Sequence, residues 1–186
     1  MEIVKASKQQ DFIQIENLAK IIWREHFIPI IGAKQVEYML EKFLSANAMI
    51  KSVENENYEF YELYEEKERI GFIAIHPEEE MLFLSKLYIR KDKRGKGFAS
   101  MALRFLKEIC KERNLKGIWL TCNKYNNHTL AVYKHMGFEI FVIAKNKKVW
   151  IECFHLHHLF HTLICSHYFL FEARSLCFKF CSRNCF

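Results

Sequence analysis

Glycine and proline are scarce in this chain of 186 residues, with six of one and two of the other. No Gly/Ser-rich or Pro-rich stretch divides it, and no internal repeat is visible, so a linker-joined pair of domains and a repeat array are both excluded. One domain is expected, long enough to bury a core of its own. The opening residues Met1-Glu2-Ile3-Val4-Lys5 lack the basic flank and apolar run of a secretory signal peptide and enter a strand pattern directly. A cytoplasmic location is the expectation. The seven cysteines are odd in number and show neither zinc-ribbon spacing nor a disulfide framework. Cys110 and Cys122 sit in apolar runs, as reduced core thiols do. The formal charge of +6 is mild and spread over scattered lysines. It suits an anionic ligand without arguing for nucleic acid.

What is present is a mixture of two periods. Ile3 to Ala6 reads as a short opening strand. Asp11, with Gln14 three residues later, has the form of a capping box ahead of Phe12, Ile15, Ala19 and Ile22, which share one helix face. Pro29 and Gly32 interrupt, and Val36, Met39, Leu40 and Phe43 predict a second helix. Alternation from Tyr58 to Glu65 predicts a half-exposed strand, Ile70 to Ile75 a denser one and Met81 to Ile89 a third, with Glu78-Glu79-Glu80 in the turn between the last two. Phe98, Ala102, Phe105, Leu106 and Ile109 line an amphipathic helix. Ile118 to Leu120 is a buried strand. Asn126 to His135 is a helix ending at Gly137, and Glu139 to Ile143 pairs with Val149 to Phe154 in a final hairpin. The fold class is therefore α/β, a mixed sheet with a meander followed by a strand-helix-strand unit.

The strand-to-helix junction Arg94-Gly95-Lys96-Gly97-Phe98-Ala99 carries the first chemistry. Glycines let a ligand approach the backbone, and N–H groups at a helix start form an anion site. Arg94 and Lys96 add charge, and the combination suits a pyrophosphate. The Gly-Lys-Ser/Thr ending of a P-loop is absent, and a dinucleotide fingerprint would need Gly or Ala where Ser100 stands. A tight basic turn entering a helix is the plain alternative for these residues taken alone.

Downstream lies Asn126-Asn127-His128-Thr129-Leu130-Ala131-Val132-Tyr133-Lys134-His135-Met136-Gly137-Phe138. The two segments together resemble the GNAT acetyltransferase family. Arg94, Gly97 and Ala99 match its Arg/Gln-x-x-Gly-x-Gly/Ala loop, and Asn126, Tyr133, Gly137 and Phe138 match its later segment. The resemblance covers roughly residues 1 to 143. It implies a mostly antiparallel central sheet with one splayed parallel strand pair, and acetyl-CoA as acetyl donor. It further implies main-chain contacts from Leu87, Tyr88 and Ile89 to the pantetheine arm, with Gly95 to Ala99 holding the pyrophosphate. Asn126 would meet the cofactor, and the Tyr133 hydroxyl would lie near the thioester sulfur. The activity implied is direct transfer to a primary amine of a small molecule or a protein, with no acyl-enzyme. A CoA-binding relative that turns over no amine is the alternative.

A protonated amine must lose its proton before it attacks. Glu62, on the strand facing the implied acceptor channel, is the candidate base. His76, Glu25 and His26 are further candidates, each with an ordinary surface role as its plain reading. From His155 onward the text changes: it is crowded with Phe, His and Cys, and it lacks Gly, Pro and Asp. The histidine spacings fit no single tetrahedral metal site, so no metal is assigned. Glu152 and five histidines argue against a membrane span in residues 149 to 171. The expected division is an N-acetyltransferase domain at 1–154 and an atypical tail at 155–186, with oligomeric state open. A chain shortened to residues 1–154 is accordingly expected to bind acetyl-CoA with the affinity of the full chain, measured by calorimetric titration; loss of binding would show that the tail belongs to the site.

Overall fold

The chain begins with β1 (Glu2–Lys5) and three consecutive helices, α1 (Gln9–Ile31), α2 (Ala33–Leu44) and α3 (Ala46–Glu56). The meander β2 (Glu59–Glu65), β3 (Glu68–Pro77) and β4 (Met81–Ile89) follows. Then come α4 (Phe98–Glu112), β5 (Gly117–Asn123), α5 (Asn127–His135), β6 (Glu139–Val142) and β7 (Lys148–Phe154). The computed structural model describes residues 1–123, 127–142 and 148–154. They form a seven-stranded sheet in the order β1-β2-β3-β4-β5-β7-β6. Every neighbouring pair is antiparallel except β4–β5, which is parallel. No helix of the described residues is long and apolar enough to cross a membrane.

The ends of α1 differ from the sequence expectation. Asp11 is the third helical residue rather than the cap, and its Oδ2 accepts hydrogen bonds from the backbone N–H groups of Ser7 and Lys8, both 2.9 Å. The helix thus starts three residues earlier, with an acid satisfying donors that have no partner in the helix. Pro29 lies inside the helix and does not end it; Gly32 does, at φ 81°, its N–H bonded to the Ile28 carbonyl at 3.0 Å. α3 has no counterpart in the sequence reading. It is capped by Ser45, whose Oγ accepts from the Ala48 N–H at 3.3 Å, and closed by Asn57 in the left-handed region at φ 55°.

Strand alternation sends side chains to two cores, one on each face of the sheet. Phe60, Phe72 and Ala74 face α1, α2 and α3, where Phe12, Ile15, Ile22, Val36, Leu40, Leu44 and Met49 are buried. Tyr61, Leu63, Ile73 and Ile75 face the other way, against Phe98, Ala102, Leu106 and Ile109 of α4. Each fully buried large apolar side chain is worth about 1.5–3 kcal/mol, so the sheet is held from both faces. This places β3 and β4 at the centre of three layers.

Gly71, in the middle of β3, pairs with Ile89 on β4. A Cβ there would overlap the carbonyl oxygen of Tyr88, which is backbone and cannot swing aside. Gly71→Ala should therefore push β4 outward and cost about 1–3 kcal/mol, as overpacking does. Urea denaturation of the variant checks this; unchanged stability would mean that β4 yields freely at Tyr88.

Candidate active site

The parallel pair β4–β5 is joined over three positions, Met81↔Gly117, Leu82↔Ile118 and Phe83↔Trp119. Beyond Phe83 and Trp119 the strands separate, although β4 continues to Ile89 and β5 to Asn123. The register of β3 against β4 slips at the same level. Ala74 lies opposite Lys86 and Ile75 opposite Leu84, so Ser85 is an extra, bulged residue. A bulge bends its strand and increases local twist, which turns the far half of β4 away from β5. Leu87 and Ile89 therefore present backbone groups toward the gap with no strand to meet them, while Lys86 and Tyr88 are turned toward Ala74 and Phe72 of β3. Leu87, Tyr88 and Ile89, expected to hold a pantetheine arm, all lie in this far half of β4. Leu87 and Ile89 pack on the α4 side. Tyr88 packs on the α1 side, edge-on to Trp23 at 5.8 Å and tilted against Phe72 at 5.3 Å.

β4 runs through a 3₁₀ turn at Lys91–Lys93 into the glycine loop and α4. Gly95 and Gly97 take φ values of 76° and 82°, the left-handed region where only glycine is free of strain. No side chain caps α4, so the N–H groups of its first turn lack both intrahelical and side-chain acceptors. A Cβ built on either glycine would meet nothing within 4 Å, which leaves the space above the helix start open. The nearby cations divide into two groups. Lys93 is neutralised by Glu65 and Glu68 at 2.6 and 2.7 Å, and Arg90 by Glu68 and Asp92. Among the described residues Arg94 and Lys96 have no carboxylate partner. The Arg94 Nε–H instead donates to the Ile89 carbonyl at 2.9 Å, which fixes the turn. Free N–H donors, two unpaired cations and room for a ligand fit a pyrophosphate. The Phe98 side chain is buried in the core and anchors α4, so its backbone is what this residue offers to the loop.

Tyr133, on α5, packs against the α4-side core and meets Phe138 edge-on at 5.3 Å. Burial, reinforced by the neighbouring Cys122 thiol, pushes its hydroxyl pKa well above the ordinary tyrosine value. The hydroxyl stays protonated and can donate. Tyr88 is raised likewise, by burial first and by Tyr133 second, so the two phenols sense each other although they belong to opposite faces of the sheet. Gly137, at φ 87°, ends α5 as expected. Asn126 lies outside the described residues.

The proposed bases are distributed differently. Glu62 is buried on β2, on the α1 side, and is ion-paired with Arg69. It also accepts from the Tyr64 hydroxyl at 3.0 Å, while Arg69 reaches on to Gln14 of α1 and to the Tyr64 hydroxyl. Both oxygens are occupied, and an incoming ammonium would have to displace these donors. The expected free base is thus part of a tie between β2, β3 and α1. Glu25 is 3.4 Å from Lys91, and His26 lies beside the loop, its pKa lowered by burial and then by Arg94. His76 stacks on Tyr58 at 5.0 Å with its buried Nδ1 unpartnered, and pairs in register with Phe83. That level lies below the point where the strands part. The sequence reading passed over Lys86, which stands next to the bulge; alternation marks it only as a strand position.

The sequence profile of the acetyltransferase (GNAT) family matches residues 15–138, two-thirds of the chain. The chain belongs to the GNAT acetyltransferase family. The match begins inside α1 and ends at Phe138, so it takes in the parted strands, the glycine loop and Tyr133. The donor that goes with this membership is acetyl-CoA. Three solved structures share the fold. PaiA N-acetyltransferase of Thermoplasma acidophilum, crystallised with coenzyme A, superposes with a TM-score of 0.72 at 18% identity, over 83% of this chain and 100% of that one. An acetyltransferase of Thermus thermophilus gives 0.64 at 17%, over 82% and 96%. Aminoglycoside 6'-acetyltransferase type Ii gives 0.60 at 16%, over 86% and 100%.

The Glu62 arrangement generates a clear expectation. Glu62→Gln should lower stability, because Arg69 loses its charged partner, yet should lower kcat of the folded protein less than about tenfold. A loss of about 10²–10⁴ in kcat at unchanged folding would restore Glu62 as the base.

Proposed function

We propose that this GNAT acetyltransferase is an N-acetyltransferase, passing the acetyl group of acetyl-CoA directly to a primary amine of a small molecule or a protein. What supports this reading is the parted β4–β5 pair, followed by an uncapped helix start, together with a buried, protonated phenol at Tyr133 close enough to influence Tyr88 of the parted segment. In this reading the backbone of Leu87 and Ile89 bonds the pantetheine arm, while that of Tyr88, expected to join them, is turned toward Phe72 of β3. Gly95 to Ala99 take the pyrophosphate through their N–H groups, with Arg94 and Lys96 adding charge, and Asn126 meets the cofactor from the strand-helix junction.

The neutral amine attacks the thioester carbonyl, and an N–H of β4 turned toward the gap, at Leu87 or Ile89, steadies the developing oxyanion; the Tyr88 N–H is turned toward Phe72 of β3. The carbon–sulfur bond breaks, and the Tyr133 hydroxyl gives its proton to the departing thiolate. An acyl-enzyme is not required. Cys110 is fully buried in the α4 core, with its thiol 3.7 Å from the Gly117 carbonyl, remote in character from an exposed, activated nucleophile. Two of the fold neighbours are an N-acetyltransferase and an aminoglycoside acetyltransferase by name, in keeping with an amine acceptor. The location in this reading is the cytoplasm. The catalytic unit is taken as residues 1–154.

Calorimetric titration with acetyl-CoA tests the reading, with Gly97→Glu as the control. The substitution places a carboxylate, in a strained left-handed position, where the pyrophosphate would sit. Wild type should bind, and the variant should lose binding by about a hundredfold or more while keeping its circular dichroism spectrum. Equal binding by both proteins would remove the loop from the site.

A further inference from the structure

We propose that Lys86 is the group that accepts the proton the acceptor amine must lose. The inference rests on the acetyl-transfer reading above and deepens it by supplying the base. Three observations converge on this side chain. The first is position. Lys86 follows the bulged Ser85 and lies between Phe83, the last residue of β4 bonded to β5, and Leu87, where the segment facing the gap is expected to hold the donor. It is at the vertex of the parted strands.

The second is the lack of a counter-ion. Lys5, Lys20, Lys91, Lys93, Lys111 and Lys116 each meet a carboxylate. Among the described residues Lys86 has none within ion-pair distance. Its Nζ is 3.2 Å from the Ser85 Oγ and lies over the rings of Tyr58 and Phe60, at 5.7 and 5.9 Å from their centroids. Those rings belong to the core on the α1–α3 side, so the amine reaches over that face of the sheet and not over the face that holds Tyr133.

The third is chemistry. Burial disfavours the ammonium and brings its pKa down to about 8, with Glu56 acting the other way. A group that exchanges its proton near neutrality suits general base work better than one fixed in either state. The groups around it do not reverse this. Glu56 acts from α3. Just before β2 comes Tyr58, itself pushed up to about 12 by burial and hydrogen-bonded to Ser85; Glu78 acts on that phenol, and His76 of β3 stacks on it. On β4 the nearest titratable neighbour is Tyr88, backed by Trp23 of α1. The alternatives are worse placed, Glu62 being tied to Arg69 and His76 lying level with strands that are still bonded.

The proton balance closes. The acceptor ammonium gives one proton to the neutral Lys86 Nζ, and the freed lone pair forms the C–N bond as the C–S bond breaks. The second proton, released when the nitrogen becomes an amide, replaces the one that Tyr133 gives to the thiolate. Lys86 then returns its proton to water.

The test uses the full chain, saturating acetyl-CoA, n-butylamine and 1,3-diaminopropane as acceptors, and thiol release as readout. Lys86→Arg keeps the positive charge but cannot give up its proton at any working pH. Lys86→Met removes charge and base together, and Lys86→Gln is a second neutral variant should Met fail to fold. The expected result is that Arg and the neutral variants fall alike, by about 10²-fold or more in kcat, with acetyl-CoA affinity unchanged. The wild-type kcat should rise with pH to a plateau above about 8, a limb that the variants lose. Retention of activity within about threefold by Lys86→Arg would overturn the proposal and make Lys86 a binding cation. So would a wild-type pH limb that persists in the variants. Acetyl-CoA binding by wild type without turnover of either amine would sink the acetyl-transfer reading itself, and this inference with it.

Discussion

Two parallel strands that begin to pair and then stop set the terms for everything else in this molecule. β4 and β5 share hydrogen bonds only as far as Phe83 and Trp119. Backbone N–H and C=O groups inside a protein must find partners, and a strand edge left open within a sheet is costly unless something fills it. The bulge at Ser85 makes the opening geometrically stable, since it changes the twist of β4 at the level where the pairing ends. The sheet is thus built with a slot at its centre. A chain that needs an extended ligand to complete its hydrogen bonding has its ligand's shape written into its backbone.

The surrounding elements follow from that slot. α4 starts immediately beyond the C-terminal end of β4, so its uncapped first turn and the two left-handed glycines stand at one mouth of the opening. Tyr133 overlooks the slot from one face of the sheet. Tyr88 and Lys86 look onto the other, among the aromatic side chains under α1 and α3. Donor and acceptor can then approach a common centre from different directions, with groups of different proton affinity on the two sides. Burial, the same force that stabilises the two cores, raises the phenol on one side and lowers the amine on the other. Rigid packing and proton chemistry are not separate features here.

Much of this arrangement was legible in the sequence, because the strongest signals coincide with the central elements. The apolar strand run from Met81 to Ile89, the glycine loop and the apolar stripe of the following helix are local patterns, and each occupies the element it predicts. What escaped reading depends on partners far along the chain. Ser85 is a bulge only with respect to β3, and nothing in its neighbours marks it. Asp11 caps α1 from the third position, a difference of register within a single turn. α3 buries only Ala46 and Met49 within it, too thin a stripe to stand out as periodic, although Ser45 and Asn57 mark its two ends. Glu62 looked free because its partner Arg69 lies across a hairpin, and Lys86 looked ordinary because the lack of a counter-ion is a property of the packed sheet.

The strand order has a consequence for how the chain is made. β5, which forms one wall of the slot, pairs along its whole length with β7, from Gly117↔Phe154 to Asn123↔Lys148. On the ribosome, β1 through β4 and their helices can consolidate while later residues are still being added. During that interval β5 is held by its three-residue contact with β4 and by the packing of Ile118 and Leu120 in the α4 core. Its other edge waits until residue 154 has cleared the exit tunnel. The nascent protein therefore passes through a stage with one half of the sheet complete and an aggregation-prone edge exposed. That wall of the slot is secured last, when β7 comes to pair with both β5 and β6.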